Sequence, residues 1–177
     1  MKFTPLPLSG AFLIEQERHC DERGFFVRLY DEVQMENHGL NANFIEWSSA
    51  FNIQSGTLRG LHYQEAPYQE AKLVHCVQGQ IFDVIVDIRP LSPTFQQVYT
   101  LILSGKESAM LYIPEGFAHG YQTMTNNVCV HYYISKPYVR EFARGIRFDD
   151  PSLGISWPLQ VSCMSARDQS FPCVTNE

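Results

Sequence analysis

Apolar and polar residues alternate along much of the chain in short runs, interrupted by turn residues about every ten positions, which is the pattern of an all-β sandwich or barrel. Residues 11–15 and 24–29 predict the first two strands, with a polar turn at Cys20-Asp21-Glu22-Arg23 between them. Residues 73–77, opened by Lys72, turn at Gln78-Gly79 into residues 81–88, and the two runs predict a hairpin. In its second arm Phe82, Val84, Val86 and Ile88 form an apolar face, while Ile81, Asp83, Ile85 and Asp87 form a mixed one. The first face is expected in the core and the second to carry carboxylates. Strands are also expected over 97–103, 109–113, 117–123 and 128–134, separated by Ser104-Gly105, Pro114-Glu115-Gly116 and Thr125-Asn126-Asn127. One helix is expected before this array, over 32–38, because Asp31 and Gln34 have capping-box spacing and Gly39 supplies a stop. It should be short and peripheral. Residues 41–54 show no clear period. After Tyr138, Pro151, Pro158 and Pro172 exclude long helices, leaving room for a helical turn over 165–170.

Length changes this picture little: 177 residues suit one domain, 1–177, with a core that needs no metal or disulfide staple. A net charge of −6 gives no general affinity for nucleic acid or anionic membrane, so any phosphate site must be local. Five cysteines, an odd number without C-x-x-C spacing, argue against a disulfide framework and a zinc site and fit a reducing cytoplasm. Pro5 and Pro7 break the weakly apolar N-terminal run, which lacks a signal-peptide core, and no apolar run reaches membrane-spanning length. A soluble protein is expected.

Candidate chemistry concentrates in Thr57-Leu58-Arg59-Gly60-Leu61-His62-Tyr63-Gln64. In a regular strand Gly60, His62 and Gln64 share one face and Arg59, Leu61 and Tyr63 the other, unless Gly60 carries a bulge. His62 is a candidate general base if it points into a cavity and a hydrogen-bonded core histidine if it does not.

Gly60-Leu61-His62-Tyr63-Gln64 with Gly79 downstream, and Pro114-Glu115-Gly116-Phe117-Ala118-His119, resemble the cupin jelly roll. Metal cupins usually carry a second histidine two residues after the first; here that residue is Gln64, so no metal is expected. With Asp21-Glu22-Arg23-Gly24-Phe25-Phe26, Lys72-Leu73-Val74, Ser92-Pro93-Thr94-Phe95, Asp149-Asp150-Pro151 and Ile155-Ser156-Trp157-Pro158 in the same order, the chain resembles the dTDP-4-dehydrorhamnose 3,5-epimerase family. That resemblance implies a cupin-type jelly roll (double-stranded β-helix) with short peripheral helices, and epimerisation of a nucleotide-activated 4-keto-6-deoxy hexose without a cofactor.

On the same resemblance His62 matches the base, Asp168 its carboxylate partner, Tyr132 the acid and Lys72 the cation beside the sugar ketone. Arg23 and Arg59 match arginines that meet the diphosphate. Asp83, His119 and Gln64 match residues near the substrate, and Tyr138 and Phe26 match positions near the base. The family borrows its Arg23 segment from a partner subunit, so a homodimer is implied. Each residue also has a plainer reading: Asp168 as the capping-box partner of Ser165, Tyr132 as core between Val130 and Ile134, Lys72 as exposed surface. Arg28 stands where the family commonly has glutamate, and residues 46–48 also depart from its pattern, both near the region that recognises the nucleotide base; Phe142-Ala143 replace more usual polar residues, a departure to which the sequence assigns no role. An epimerase acting at C3 alone, a 3,4-ketoisomerase, a metal-dependent cupin enzyme and a non-catalytic sugar-nucleotide binder remain as alternatives.

Overall fold

The computed structural model describes residues 1–174. In chain order the strands are β1 (Lys2–Pro5), β2 (Phe12–Glu15), β3 (Arg18–Asp21), β4 (Gly24–Val27), β5 (Glu46–Asn52), β6 (Leu58–Gln64), β7 (Lys72–Gln78), β8 (Gln80–Asp87), β9 (Val98–Ser104), β10 (Ala109–Ile113), β11 (Phe117–Thr123), β12 (Val128–Ile134) and β13 (Ala143–Gly145). Two short helices, α1 (Glu32–Asn37) and α2 (Ala166–Gln169), complete the set. One sheet runs β1-β2-β10-β7-β12-β5, a second runs β13-β6-β11-β8-β9, and β3 and β4 form a separate hairpin.

The two large sheets are antiparallel and enclose one core, with Val74, Leu111 and Val130 of the first meeting Ile81, Ile85 and Phe117 of the second. Gly79 makes the β7–β8 turn possible: its φ is +77°, and a Cβ there would stand 2.7 Å from Thr125 and Val128. α1 lies against the outer face of the first sheet. Asp31 caps it through the Gln34 N–H, and Met35, fully buried against Ile14, Leu73 and Met110, anchors it with about 1.5–3 kcal/mol of apolar burial. The segment after β12 covers the outer face of the second sheet, where Ile146, Leu153 and Trp157 pack on Leu61, Val84 and Val86.

Several expectations need correction. The polar run at Cys20-Asp21 is not a turn but the end of β3, and the turn tightens to Glu22-Arg23. β4 stops at Val27 because Arg28 turns to pair with Asp31 at 2.8 Å. β1, β5 and β13 carry too little periodicity to be read from sequence. In β8 both faces are buried: the mixed face looks into the sandwich and the apolar face lies under the tail. Asp83 and Asp87 consequently have no solvent exposure. Asp87 survives burial by accepting bonds from Arg89, Ser92 and Thr94; burial alone would raise its carboxyl, but these donors hold it at about 2.

Candidate active site

β6 departs from regular pairing at its centre. His62 pairs with His119 and Arg59 with Tyr121, so Gly60 and Leu61 together oppose the single residue Gly120. A side chain has no room on either strand, since a Cβ on Gly60 would approach Gly120 Cα to 2.6 Å and one on Gly120 would approach the Arg59 carbonyl to 2.7 Å. This bulge cancels the alternation that would separate Arg59 from His62. Both side chains line one cavity of about 260 Å³, together with Lys72, His119, Tyr121 and Tyr132.

His62 donates its Nε2–H to the Asp168 carboxylate at 2.9 Å, so Nδ1 is the nitrogen left to accept a proton. Asp168 is 5% exposed. Burial alone would raise its carboxyl, but His62, the Gly60 N–H and Ser165 outweigh that and hold it below the ordinary carboxylate range. The two readings of Asp168 divide between its atoms. Its backbone N–H donates to Ser165 Oγ at 3.0 Å and caps α2, while its carboxylate accepts from Gly60 N at 3.1 Å and faces His62. Phe171 stands edge-on to the imidazole with ring centroids 5.7 Å apart.

Tyr132 enters from β12, where period two places Val130 and Tyr132 on the inner face and Tyr133 on the outer. Burial, reinforced by the neighbouring Tyr121 phenol, pushes its hydroxyl well above the usual tyrosine range, so it stays protonated. A chain of polar groups supports it. Arg59 Nε donates to Asn52 Oδ1 at 2.8 Å, and Asn52 Nδ2 donates to the Tyr121 hydroxyl at 3.1 Å. His119, whose ring lies edge-on to Tyr132 at 6.2 Å, is held by Asp83 through two 3.0 Å contacts.

Lys72 is not surface: it is 8% exposed, and its Nζ lies 2.9 Å from Glu70 and 3.5 Å from the His62 carbonyl. Gln64 lies outside the cavity, with its amide committed to Tyr68, Glu70, Pro137 and Val139. Arg23 and Phe26 are exposed on the β3–β4 hairpin, Arg23 paired with Asp21, and neither lines the cavity. Tyr138 is also exposed, its hydroxyl 3.4 Å from Arg167. Asn52, Glu70, Tyr121 and Phe171 carry no motif and were not legible as site residues. Among the described residues no group of three or more His, Cys, Asp or Glu side chains could hold a metal ion. No helix among them is long and apolar enough to cross a membrane.

A family model described as dTDP-4-dehydrorhamnose 3,5-epimerase matches residues 5–176. The enzyme of that name from Shigella flexneri is 40% identical over 169 residues, covering 95% of this chain and 93% of its own. A crystal structure of the Bacillus anthracis enzyme with TDP and PPi bound is 35% identical, with a TM-score of 0.95 over 98% of this chain and 99% of its own. A Legionella pneumophila epimerase in complex with dTDP-4-keto-L-rhamnose is 35% identical, with a TM-score of 0.91 over 97% and 92%. The jelly-roll architecture is therefore that of solved epimerases, and by sequence and fold together the chain belongs to the dTDP-4-dehydrorhamnose 3,5-epimerase family.

Proposed function

We propose that the chain epimerises a dTDP-activated 4-keto-6-deoxy hexose at C3 and C5, as its relatives' names describe. The observation that carries this reading is that His62, bonded to Asp168, lines one cavity with Tyr132 and Lys72. The ketone acidifies the protons on the carbons beside it, and Nδ1 of His62 takes one of them. Charge moves to the ketone oxygen, where the Lys72 ammonium stabilises it. The protonated Tyr132 phenol then returns a proton to the opposite face, and exchange with solvent takes the proton from His62 and restores that of Tyr132; Asp168 orients the neutral imidazole and stabilises its protonated form. No electron leaves the sugar, so the chemistry calls for no redox cofactor.

The nucleotide end is completed by a second copy of the chain. Arg59 takes the diphosphate together with Arg23 and Phe26 of the other subunit, and Tyr138 stacks on the base. Two features support this dimer: the β3–β4 hairpin stands exposed with Phe25 and Phe26, and β5 is an open sheet edge bearing exposed Trp47 and Phe51. Five free cysteines fit action in the reducing cytoplasm.

Proton NMR of dTDP-4-keto-6-deoxyglucose with the protein in deuterated buffer tests the chemistry. Deuterium at C3 and C5 with inverted products is expected; label at C3 alone means a 3-epimerase or ketoisomerase, and none means another substrate or no catalysis. Mixing Arg23→Ala and His62→Asn dimers tests the shared site. Recovery of about a quarter of wild-type sites is expected from random exchange, and no recovery refutes the trans contribution of Arg23.

A further inference from the structure

Glu70 sits in the loop between β6 and β7, outside every motif, yet it is 9% exposed. A buried carboxylate and ammonium cost more to desolvate than a well-packed apolar pair, so a Glu70–Lys72 contact is poorly explained as a device for stability. Its geometry explains it better. Glu70 Oε1 takes Lys72 Nζ at 2.9 Å, and Oε2 takes Gln64 Nε2 at 3.0 Å. Both oxygens must accept, which a carboxylate does and a carboxamide cannot. Gln64 is in turn held at both ends: its two Nε2–H donors are shared among Glu70 and the carbonyls of Tyr68 at 3.0 Å and Pro137 at 3.1 Å, and Oε1 accepts the Val139 N–H at 2.7 Å. Pro137 and Val139 flank Tyr138. An unbroken line of hydrogen bonds therefore runs from the ammonium on the cavity wall to the segment that carries Tyr138.

We propose that Glu70 is a positioning residue for the reaction: it fixes the Lys72 ammonium on the cavity wall and, through Gln64, ties it to the Tyr138 segment. This rests on the reading of Lys72 as the cation that meets the ketone oxygen. A free lysine side chain samples many rotamers, and a cation that must be in place when charge develops gains from having them removed beforehand. Among the described residues Lys72 bonds to Glu70 at 2.9 Å and to the His62 carbonyl at 3.5 Å, so Glu70 is its chief tether there.

The test is a cycle of wild type, Glu70→Gln, Lys72→Met and the double variant, read as kcat and KM for dTDP-4-keto-6-deoxyglucose, with thermal unfolding by circular dichroism as the check on folding. Glu70→Gln keeps the size of the side chain but turns one acceptor into a donor. Its kcat is expected to fall by about tenfold to a hundredfold, the scale of a displaced catalytic group. In the Lys72→Met background the same change should alter kcat less than about twofold, because the group it positions is gone. Wild-type kcat in Glu70→Gln, or an equal loss in both backgrounds, overturns the proposal while leaving Lys72 its role. Wild-type kcat in Lys72→Met overturns the reading of Lys72 itself. Glu70→Asp, which keeps both acceptors, should recover part of the loss, and it replaces Glu70→Gln in the cycle if that variant does not fold.

Discussion

Replacing Asp168 by asparagine probes the centre of the site without changing its size. The Gly60 N–H can only donate, so the amide must keep its oxygen where Asp168 Oδ2 now accepts at 3.1 Å. The amide nitrogen then faces His62 Nε2, where a carboxylate oxygen stood at 2.9 Å. A donor there demands the other tautomer, with the proton on Nδ1, and the nitrogen facing the cavity can no longer accept one. Charge is lost as well. At 2.9 Å the carboxylate attracts an imidazolium by about 6 kcal/mol at an effective dielectric near 20. The His62 side chain is 42% exposed, and solvent screening reduces this to about 2–3 kcal/mol. That alone is about 30-fold to 160-fold in rate, and the wrong tautomer brings the expected loss in kcat to the order of a thousandfold. Deuterium uptake at C3, followed by proton NMR with dTDP affinity as a control, measures it. A kcat within tenfold of wild type, with affinity unchanged, would refute the assignment of His62 and Asp168 as an acid–base pair.

Tyr132→Phe removes the acid but leaves the base, so deuterium should wash into the sugar faster than inverted product forms; equal slowing of both by NMR contradicts the role. Gly60→Ala forces a side chain onto a residue at φ +124° and against Gly120, and should cost about 3 kcal/mol, lowering Tm by about 6–12 °C in calorimetry. A change under 2 °C would mean the bulge relaxes freely. Asp87, held at about 2 against an ordinary 3.8, contributes about 2 kcal/mol to folding. Its folded value is the lower one, so this stability is fully present above pH 4 and is lost as pH falls from 3.8 toward 2. Asp87→Asn should flatten that stretch of a urea-denaturation series, and an unchanged slope would sink the attribution.

The parts of the fold legible in the sequence are those where turn chemistry and period two agree. β10, β11 and β12 fall on the expected residues because glycine or asparagine turns bound them. β5 was hidden because its exposed edge mixes Trp47, Ser49 and Phe51 on one face, and β13 because three residues carry no period. His62 stands out by type and by its stretch, whereas Tyr132 is singled out only through the family resemblance. Glu70 could not, since a loop carboxylate gives no sign that it will be buried against Lys72. Asp83 shows the same limit: its burial depends on His119, a partner 36 residues away on β11. Gly60 marked the bulge, but only the facing Gly120 explains why the backbone can close there.

Asp168 stands 106 residues after His62, on α2, and the chain reaches it only after wrapping the tail across β6. Pinning points along that wrap include Ile146 with Leu61 and Cys163 with Leu58. The reactive pair is thus assembled from two segments far apart in the chain. Loop-closure entropy for so distant a contact is met only once the sandwich exists. In refolding, the β-sheet signal should therefore recover before turnover does, and a chain interrupted ahead of α2 would have the cavity without its base correctly held.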